Sequence, residues 1–277
     1  MRPKLGDKRD TFLYKYRPDN DHTLQMLKNQ ELYFSFPRDF NDPFDCRILV
    51  DFSGGDDNGL RALAKKHRIP EPLLQGALEG LRSIDFDANE IEQKYSKTNF
   101  DTYIIYCISE VRDNIQMWSH YAKSHRGICV GFETAIQDNL LFIKIDDPKH
   151  YPNDLLSRGL LPIFKVEYSD KCPEPYKYFD DSEHLLTFLQ TKAESWRYEQ
   201  EHRIILPYGE INRNIIRFDK SALKELLLGC NIQDKFRQQV LELIANEYLS
   251  NGYSVDVFQS HLSTSRYELD IEKIGAF

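Results

Sequence analysis

The stretch TFLYKYRPDNDHTLQMLKNQELYFSF, residues 11–36, sets the expectation for the fold. Residues 11–17 are rich in aromatic side chains, alternate partially and stop at Pro18, which predicts a β-strand. Asp21 is placed to cap a short helix, and residues 31–36 then predict a second strand. The chain therefore opens as strand, helix and strand.

The remaining pattern mixes strands and helices without strict alternation. Strands are predicted at residues 47–52, 103–109, 127–132, 161–168, 201–206, 253–259 and 266–271. Helices are predicted at residues 113–124, 182–196, 220–228 and 232–249. Because hairpin-like returns are common, the pattern favours a single α+β domain over residues 1–277 with a mixed or antiparallel β core.

The clearest interruption is the Gly- and Asp-rich segment at residues 53–59. Beyond it, residues 60–98 are mostly helical in pattern, with leucines at amphipathic spacing. We therefore predict a helical insertion at 60–98 within the domain. Core packing, a partner surface and acceptor recognition all remain open as its role.

Composition limits the class of protein. The chain has 277 residues, a formal net charge of −8 and 41% hydrophobic residues, which is typical of a soluble globular protein. No apolar run is long enough to span a membrane, so no membrane partner is expected. The negative charge argues against a generally basic nucleic-acid binder but leaves a local basic groove open. The five cysteines are scattered without a CxxC pair, which favours reduced thiols and a cytoplasmic location.

Four islands of sequence resemble one family, catalogued as domain of unknown function 2971. They lie at residues 13–18, at 31–35 with 40–45, at 117–122 with 127–132, and at 196–203, and include the strings FNDPFD (40–45) and WSHYA (118–122). The family is uncharacterised and mostly bacterial, so the resemblance implies a fold and the place of a site but no known activity. Its context suggests a role in stress or defence.

Polar side chains in these islands lie at predicted strand ends and turns, where binding and catalytic residues are often found. Arg17 is either an exposed arginine beside the proline turn or a clamp for an anion. Asn41 and Asp42 either complete the hydrogen bonds of a turn or line a site.

The WSHYA island supplies three further candidates, Trp118, Ser119 and His120. His120 is either a packed, hydrogen-bonding histidine or a catalytic base. No cysteine or histidine besides His125 stands at ligand spacing, so no metal is expected.

Glu199 and Glu201 are the most informative acidic residues. Two apart on a strand, they would point to the same face, where their charges repel unless cations neutralise them. Arg203 and Arg197 could be those cations. Two interpretations of these glutamates remain open: they lie on a solvent-exposed edge strand, or they form a catalytic pair.

Arg17, Ser35 and Glu199-x-Glu201 resemble, in the same order, the Arg–Ser–Glu layout of ADP-ribosyltransferases. The resemblance implies that Arg17 binds a phosphate or ribose of NAD and that Ser35 supports the nicotinamide pocket. It implies that Glu201 stabilises the oxocarbenium-like transition state and that Glu199 orients or deprotonates the acceptor. A carboxylate beside a developing cation is also what glycosidic cleavage requires.

In the same arrangement, the candidates to stack on the nicotinamide or the adenine are Tyr14, Tyr33 and Tyr198. NAD would be the substrate, and an unknown protein or nucleic acid would accept the ADP-ribose. The expected enzyme is an ADP-ribosyltransferase or an NAD glycohydrolase without a metal. Which glutamate is catalytic stays open, because a shift of one residue in strand register exchanges their facing.

Two other classes of function remain open. The first is a metal-dependent nuclease or nucleic-acid-processing effector, in which acidic residues would hold Mg²⁺ and basic ones would steer phosphates. Its residues would be Asp42, Asp45, Glu199 and Glu201, with Lys15, Arg17 or Arg203. The second is a non-enzymatic module that binds a nucleotide or a peptide.

Overall fold

The described part of the chain, in a computed structural model, covers residues 11–51, 102–137, 140–146, 159–177 and 185–277, with single positions at 58, 61, 70, 73, 76 and 79. The predicted helical insertion at 60–98 lies outside the described residues apart from those single positions. The α-helices in the described part are α1 (Asp21–Asn29), α2 (Ile115–Tyr121), α3 (Leu185–Gln190), α4 (Tyr208–Ile211) and α5 (Asp234–Leu243).

The first eight strands are β1 (Thr11–Arg17), β2 (Glu31–Tyr33), β3 (Val50–Asp51), β4 (Tyr103–Ser109), β5 (Ile128–Gln137), β6 (Leu140–Lys144), β7 (Leu160–Lys165) and β8 (Glu167–Ser169). The remaining strands are β9 (Tyr176–Lys177), β10 (Thr191–Ala193), β11 (Glu201–Pro207), β12 (Ile215–Arg217), β13 (Leu223–Leu228), β14 (Asp256–Leu262) and β15 (Leu269–Ala276).

A nine-stranded sheet in the order β1-β4-β11-β7-β6-β5-β13-β14-β15 organises the fold. Strand β1 also pairs with β5 along its whole length, from Thr11 opposite Thr134 to Arg17 opposite Ile128. The six strands from β1 to β5 in this order therefore form a closed ring, and β13, β14 and β15 extend outward from β5. Most pairings are antiparallel, and β13–β14 is parallel. The predicted α+β class with a mixed or antiparallel β core is confirmed.

The chain divides into two compact units. The larger unit comprises residues Met1–Ser35, Ile104–Val166 and Ser195–Phe277, and it carries nearly all of the nine-stranded sheet. The smaller unit comprises Phe36–Tyr103 and Glu167–Glu194, with the short pairs β3–β9 and β8–β10. The single domain over residues 1–277 stays a prediction.

Tertiary pairing overrides several local predictions. The predicted helix at 220–228 is wrong, because a 3₁₀ turn is followed by the buried strand Leu223–Leu228, which pairs with β5 and β14. A short run rich in leucine does not distinguish a buried strand from a buried helix. The predicted helix at 182–196 ends at Gln190, because Thr191–Ala193 pairs with β8.

Other boundaries shift by a few residues. The cap of α1 is Asn20 rather than Asp21, and Asn20 Oδ1 accepts from the backbone N–H of Thr23 at 3.0 Å. The predicted strand at 31–36 ends at Tyr33, and the one at 47–52 is reduced to Val50–Asp51. The strand at 127–132 runs on to Gln137. The region at 161–168 is divided between β7 and β8.

The two faces of β1 have different surroundings. Tyr14 and Tyr16 belong to a core cluster with Trp118, and the rings of Tyr16 and Trp118 meet edge to face at 5.3 Å. Lys15 and Arg17 alternate with these tyrosines and point to the opposite face. This alternation positions two basic side chains together on one side of the sheet.

Candidate functional site

Lys15 and Arg17 define the basic half of the candidate site. Lys15 Nζ donates a hydrogen bond of 2.7 Å to the backbone carbonyl of Cys107 on β4. The same ammonium lies 4.7 Å from the centre of the Tyr106 ring. The basic face of β1 therefore lies against the middle of β4.

Glu199 and Glu201 form the acidic half, but they do not lie on one strand. Glu199 ends the 3₁₀ turn Glu194–Glu199, and Glu201 begins β11. Gln200 between them has a positive φ of 43°, a conformation that breaks the period-2 alternation of a strand. The prediction that the glutamates stand two apart on a strand is therefore wrong.

Both glutamates are nevertheless buried and held by specific partners. The hydroxyl of Tyr121 donates to Glu199 Oε1 at 2.6 Å, and Ser109 Oγ donates to the Glu199 carbonyl at 2.6 Å. Arg203 Nε donates to Glu201 Oε1 at 2.7 Å, and a second guanidinium nitrogen lies 3.4 Å from Oε2. Glu199 and Glu201 are each 3% exposed and Arg203 is 0% exposed, so the solvated edge strand is excluded.

Electrostatics shows that the basic and acidic halves are neighbours. Burial is the largest cause that lowers the pKa of Lys15, and the charge of Arg17 lowers it further. Glu201 and Glu199 both act in the opposite direction and raise it. Lys15 is therefore within electrostatic range of Arg17 and of both carboxylates, and these four residues are called the cluster below.

Ser35 and the stacking candidates Tyr14 and Tyr33 lie in different places. Ser35 forms paired backbone hydrogen bonds of 2.9 Å with Ile105, next to Tyr106 on β4. Tyr14 faces away from Arg17, and its hydroxyl donates to Glu225 Oε2 at 3.1 Å. Tyr33 is half exposed on β2. The structure pairs the backbone of Ser35 with β4 and directs Tyr14 away from the cluster.

Asn41 and Asp42 belong to a turn in the smaller unit. Asp42 Oδ1 accepts from the backbone N–H of Phe44 at 2.9 Å, which is the hydrogen bond of an Asx turn. The predicted turn is confirmed. Asp45, a proposed metal ligand in the nuclease alternative, lies 3.4 Å from Lys192 Nζ in a buried ion pair.

The WSHYA island contributes differently from what was expected. Trp118 is fully buried, and its indole N–H donates to the carbonyl of Arg112 at 2.9 Å. Ser119 is exposed and bonds the carbonyl of Ile115, and His120 is also exposed. Tyr121, which sequence reasoning did not select, is the member of this island that reaches the cluster.

Tyr106 was not selected from the sequence, and Lys15 was named only for the nuclease alternative, as a residue that steers phosphates. The only signal for Lys15 was its position two residues before Arg17 on an alternating strand. Nothing in the sequence around Tyr106 distinguishes it from a core aromatic residue.

Within the ranges that the structure describes, no group of three or more His, Cys, Asp or Glu side chains could hold a metal ion. All five cysteines are free thiols. No helix in the described residues has the length and apolar character needed to cross a membrane.

Comparison with known proteins finds a family model that matches part of the chain. Residues 117–204 match the model of a family described as Protein of unknown function (DUF2971), which confirms the predicted family resemblance. The matched segment contains Tyr121, Glu199, Glu201 and Arg203, whereas Lys15 and Arg17 precede it. No curated protein and no solved structure matches the chain significantly. The resemblance to ADP-ribosyltransferases stays a prediction.

His202, on the other face of β11 from Glu201, gives a prediction about pH. Its side chain is buried, and burial is the main cause that lowers its pKa below the ordinary 6.5. The unfolded chain therefore takes up a proton at a higher pH than the folded chain. The stability from neutral His202 is complete above pH 6.5 and is lost as the pH falls toward the folded pKa.

We expect the free energy of unfolding of the His202→Gln variant to fall less steeply below pH 6.5 than that of the wild type. One differential proton accounts for at most about 1.4 kcal/mol per pH unit. Chemical denaturation at a series of pH values measures the slope. His120→Gln, which changes an exposed side chain, is the control and keeps the wild-type slope. Equal slopes for wild type and His202→Gln would contradict the prediction.

Proposed function

We propose that this chain is an ADP-ribosyltransferase-like enzyme that cleaves the nicotinamide glycosidic bond of NAD and transfers ADP-ribose to an acceptor. The observation that carries the proposal is the pair of buried carboxylates, Glu199 held by the Tyr121 hydroxyl and Glu201 held by Arg203, near the basic residues of β1. The cluster unites cations suited to phosphates with carboxylates suited to a developing sugar cation.

In this proposal Glu201 acts on the reacting sugar. When the bond between ribose and nicotinamide breaks, its electron pair leaves with nicotinamide and positive charge develops on the ribose. A fixed carboxylate stabilises that charge, because it needs no reorganisation during the reaction. Arg203 contributes by fixing the Glu201 carboxylate through two contacts on a fully buried guanidinium.

Glu199 is the candidate for the acceptor side. Its carboxylate is oriented by the Tyr121 hydroxyl, and its backbone is fixed by Ser109. The acceptor forms a bond to the ribose carbon and gives up a proton, which Glu199 takes directly or through water. With water as acceptor the same steps amount to NAD hydrolysis. Arg17 would hold a phosphate of NAD in either case.

The test is the release of nicotinamide from NAD by the purified protein, with and without EDTA. We expect release that EDTA does not affect, and a loss of about 10²–10³-fold in Glu201→Gln, the usual effect of removing one preorganised electrostatic group. Glu242→Gln, an exposed change of the same kind, is the control and retains wild-type activity. Circular dichroism establishes that each variant is folded.

Three outcomes would contradict the proposed function or the role assigned to Glu201. Undiminished release by folded Glu201→Gln would refute the role of Glu201. Loss of activity with EDTA, restored by Mg²⁺, would favour the metal-dependent alternative. A folded wild-type protein that neither binds NAD in calorimetry nor releases nicotinamide would refute the proposed function.

A further inference from the structure

A cavity of about 620 Å³ lies between α2 and the hairpin of β14 and β15. Its volume falls in the range of sites that bind small molecules. Helix α2 and the turn that follows it contribute Ile115, Ser119 and His125, and the hairpin contributes residues 262–269. All of these residues belong to the larger unit, and none of them has a role in the proposed reaction.

The turn after α2 is a strained segment that its neighbours hold in place. Lys123, Ser124 and His125 have successive positive φ values of 49°, 57° and 64°, which residues with a Cβ rarely adopt. The backbone N–H of Asn231 donates to the His125 carbonyl at 3.0 Å, and Asn231 Nδ2 donates to the Ser124 carbonyl at 3.4 Å. Strain of this kind is concentrated at functional sites, where the surrounding structure enforces it. His125 is therefore fixed at the wall of the cavity.

The His125 ring gives this wall a polar but uncharged surface. It stacks on Trp118, with ring centroids 6.2 Å apart. Its Nε2 lies 3.1 Å from Ser119 Oγ, whose single hydrogen is donated to the Ile115 carbonyl at 2.8 Å, so Nε2 donates to Ser119. Burial lowers the pKa of His125 below the ordinary 6.5, which leaves the ring neutral at pH 7. The wall therefore adds no charge to the cavity.

The hairpin supplies the charged groups of the cavity. Arg266 Nη1 and Glu268 Oε2 are 4.0 Å apart, and both side chains are exposed. This separation is beyond hydrogen-bond range, and neither side chain makes a hydrogen bond to another described residue. The guanidinium and the carboxylate therefore keep their donors and acceptors for another molecule. A positive and a negative group side by side suit a ligand that carries both charges itself.

Exposed apolar side chains accompany this pair of charges. Tyr267, between Arg266 and Glu268 in the sequence, is fully exposed, and Leu262 and Ile115 are also exposed. All three line the cavity. Large apolar side chains that are exposed around a concave surface are typical of a binding site. The cavity therefore offers apolar contact next to its two charges.

We propose that this cavity binds a free α-amino acid with a large apolar side chain. Arg266 binds the carboxylate, Glu268 binds the ammonium, and Tyr267 contacts the side chain. One carbon atom separates the two charged groups of an α-amino acid, so they can meet two side chains that lie 4.0 Å apart. A dipeptide has its charges further apart and fits the pair less well. This inference does not rest on the proposed function.

Calorimetric titration of the whole chain with L-leucine, L-phenylalanine and L-tryptophan tests the site. We expect the wild type to bind at least one of them, and we expect Arg266→Gln and Glu268→Gln each to weaken that binding by about 10–100-fold, the usual effect of losing a hydrogen bond to a charged group. Lys235→Gln and Glu242→Gln each remove one exposed charge of the same sign on α5, and both bind like the wild type. Circular dichroism establishes that each variant is folded.

Variants of Tyr267 test the apolar contact separately. We expect Tyr267→Ala to weaken binding by about tenfold, because the ligand side chain loses the ring surface that it covers. Tyr267→Phe keeps that surface and binds like the wild type. Since the side chain is fully exposed, neither change should alter the melting temperature of the protein without ligand. Undiminished binding by Tyr267→Ala would refute the role of this ring.

A second series of ligands tests the assignment to a free amino acid. N-acetyl-L-phenylalanine amide has the same side chain without either charge, and we expect it not to bind. Equal binding of this amide and L-phenylalanine would refute the role of the charged pair. Tighter binding of the dipeptide L-phenylalanyl-L-phenylalanine than of L-phenylalanine would replace the free amino acid by a peptide. Failure of the folded wild type to bind any of the three amino acids would refute the proposed site.

Discussion

The Arg203→Met variant is expected to lose about 3–5 kcal/mol of unfolding free energy, the usual result of removing one partner from a buried ion pair. Arg203 is 0% exposed and contacts Glu201 at 2.7 and 3.4 Å, so its removal takes a bonded cation away from a buried carboxylate. Methionine fills much of the same volume, which limits the contribution of a cavity. Equilibrium denaturation with urea measures the change.

Two comparisons make this prediction specific. Arg217→Met breaks an exposed ion pair with Asp146 at 3.5 Å and should change stability by less than about 1 kcal/mol. The double variant Glu201→Gln/Arg203→Met removes both charges and should recover part of the loss. If Arg203→Met costs no more than Arg217→Met, the pair does not stabilise the fold as the geometry indicates.

The Gly127→Ala variant is expected to be destabilised by about 3 kcal/mol or more. The added methyl group would clash with backbone atoms, which cannot rotate away as a side chain can. An added Cβ would stand 1.9 Å from the carbonyl oxygen of Arg17 and 3.0 Å from Pro18 Cα. Relief requires β1 to move away from the start of β5, where Arg17 pairs with Ile128. The substitution therefore disturbs the strand end that carries Arg17.

A matched glycine provides the control for this prediction. A Cβ added at Gly209 on α4 meets nothing within 4 Å, so Gly209→Ala should be neutral or stabilising by about 0.5–1 kcal/mol. Thermal unfolding of the two variants compares them directly. Calorimetric titration of Gly127→Ala with NAD adds a second readout, which under the proposed function should show weaker binding than in Gly209→Ala. Equal stability of the two alanine variants would show that β1 adapts without cost.

Strands with strong alternation were predictable from local pattern. β1 matches the prediction at 11–17 and β4 matches the one at 103–109, since aromatic and β-branched residues at period 2 fit a pleated, half-buried surface. The strand at 201–206 is also confirmed as β11. The segment at 220–228 failed, because Leu223–Leu228 is a strand only by virtue of its neighbours β5 and β14.

In the candidate site, too, the residues could be selected from local sequence but their arrangement could not. Arg17, Glu199 and Glu201 could be selected from sequence, because charged residues at predicted strand ends are unusual enough to suggest a site. Their arrangement could not be predicted, because the positive φ of Gln200 places Glu199 on a turn instead of the strand. No local sequence pattern predicted the positive φ of Gln200.

The amino-acid sequence by itself determined the α+β class, the strands of strong alternation, the resemblance to the family whose model matches residues 117–204, and the chemical types of the candidate residues. Only the tertiary structure decided that Lys15, Tyr106 and Tyr121 join the cluster. The reason is physical: alternation assigns a side chain to a face, but which faces meet depends on pairing between distant strands. Tyr121 and Glu199 are 78 residues apart in sequence, and Lys15 and Cys107 are 92 apart.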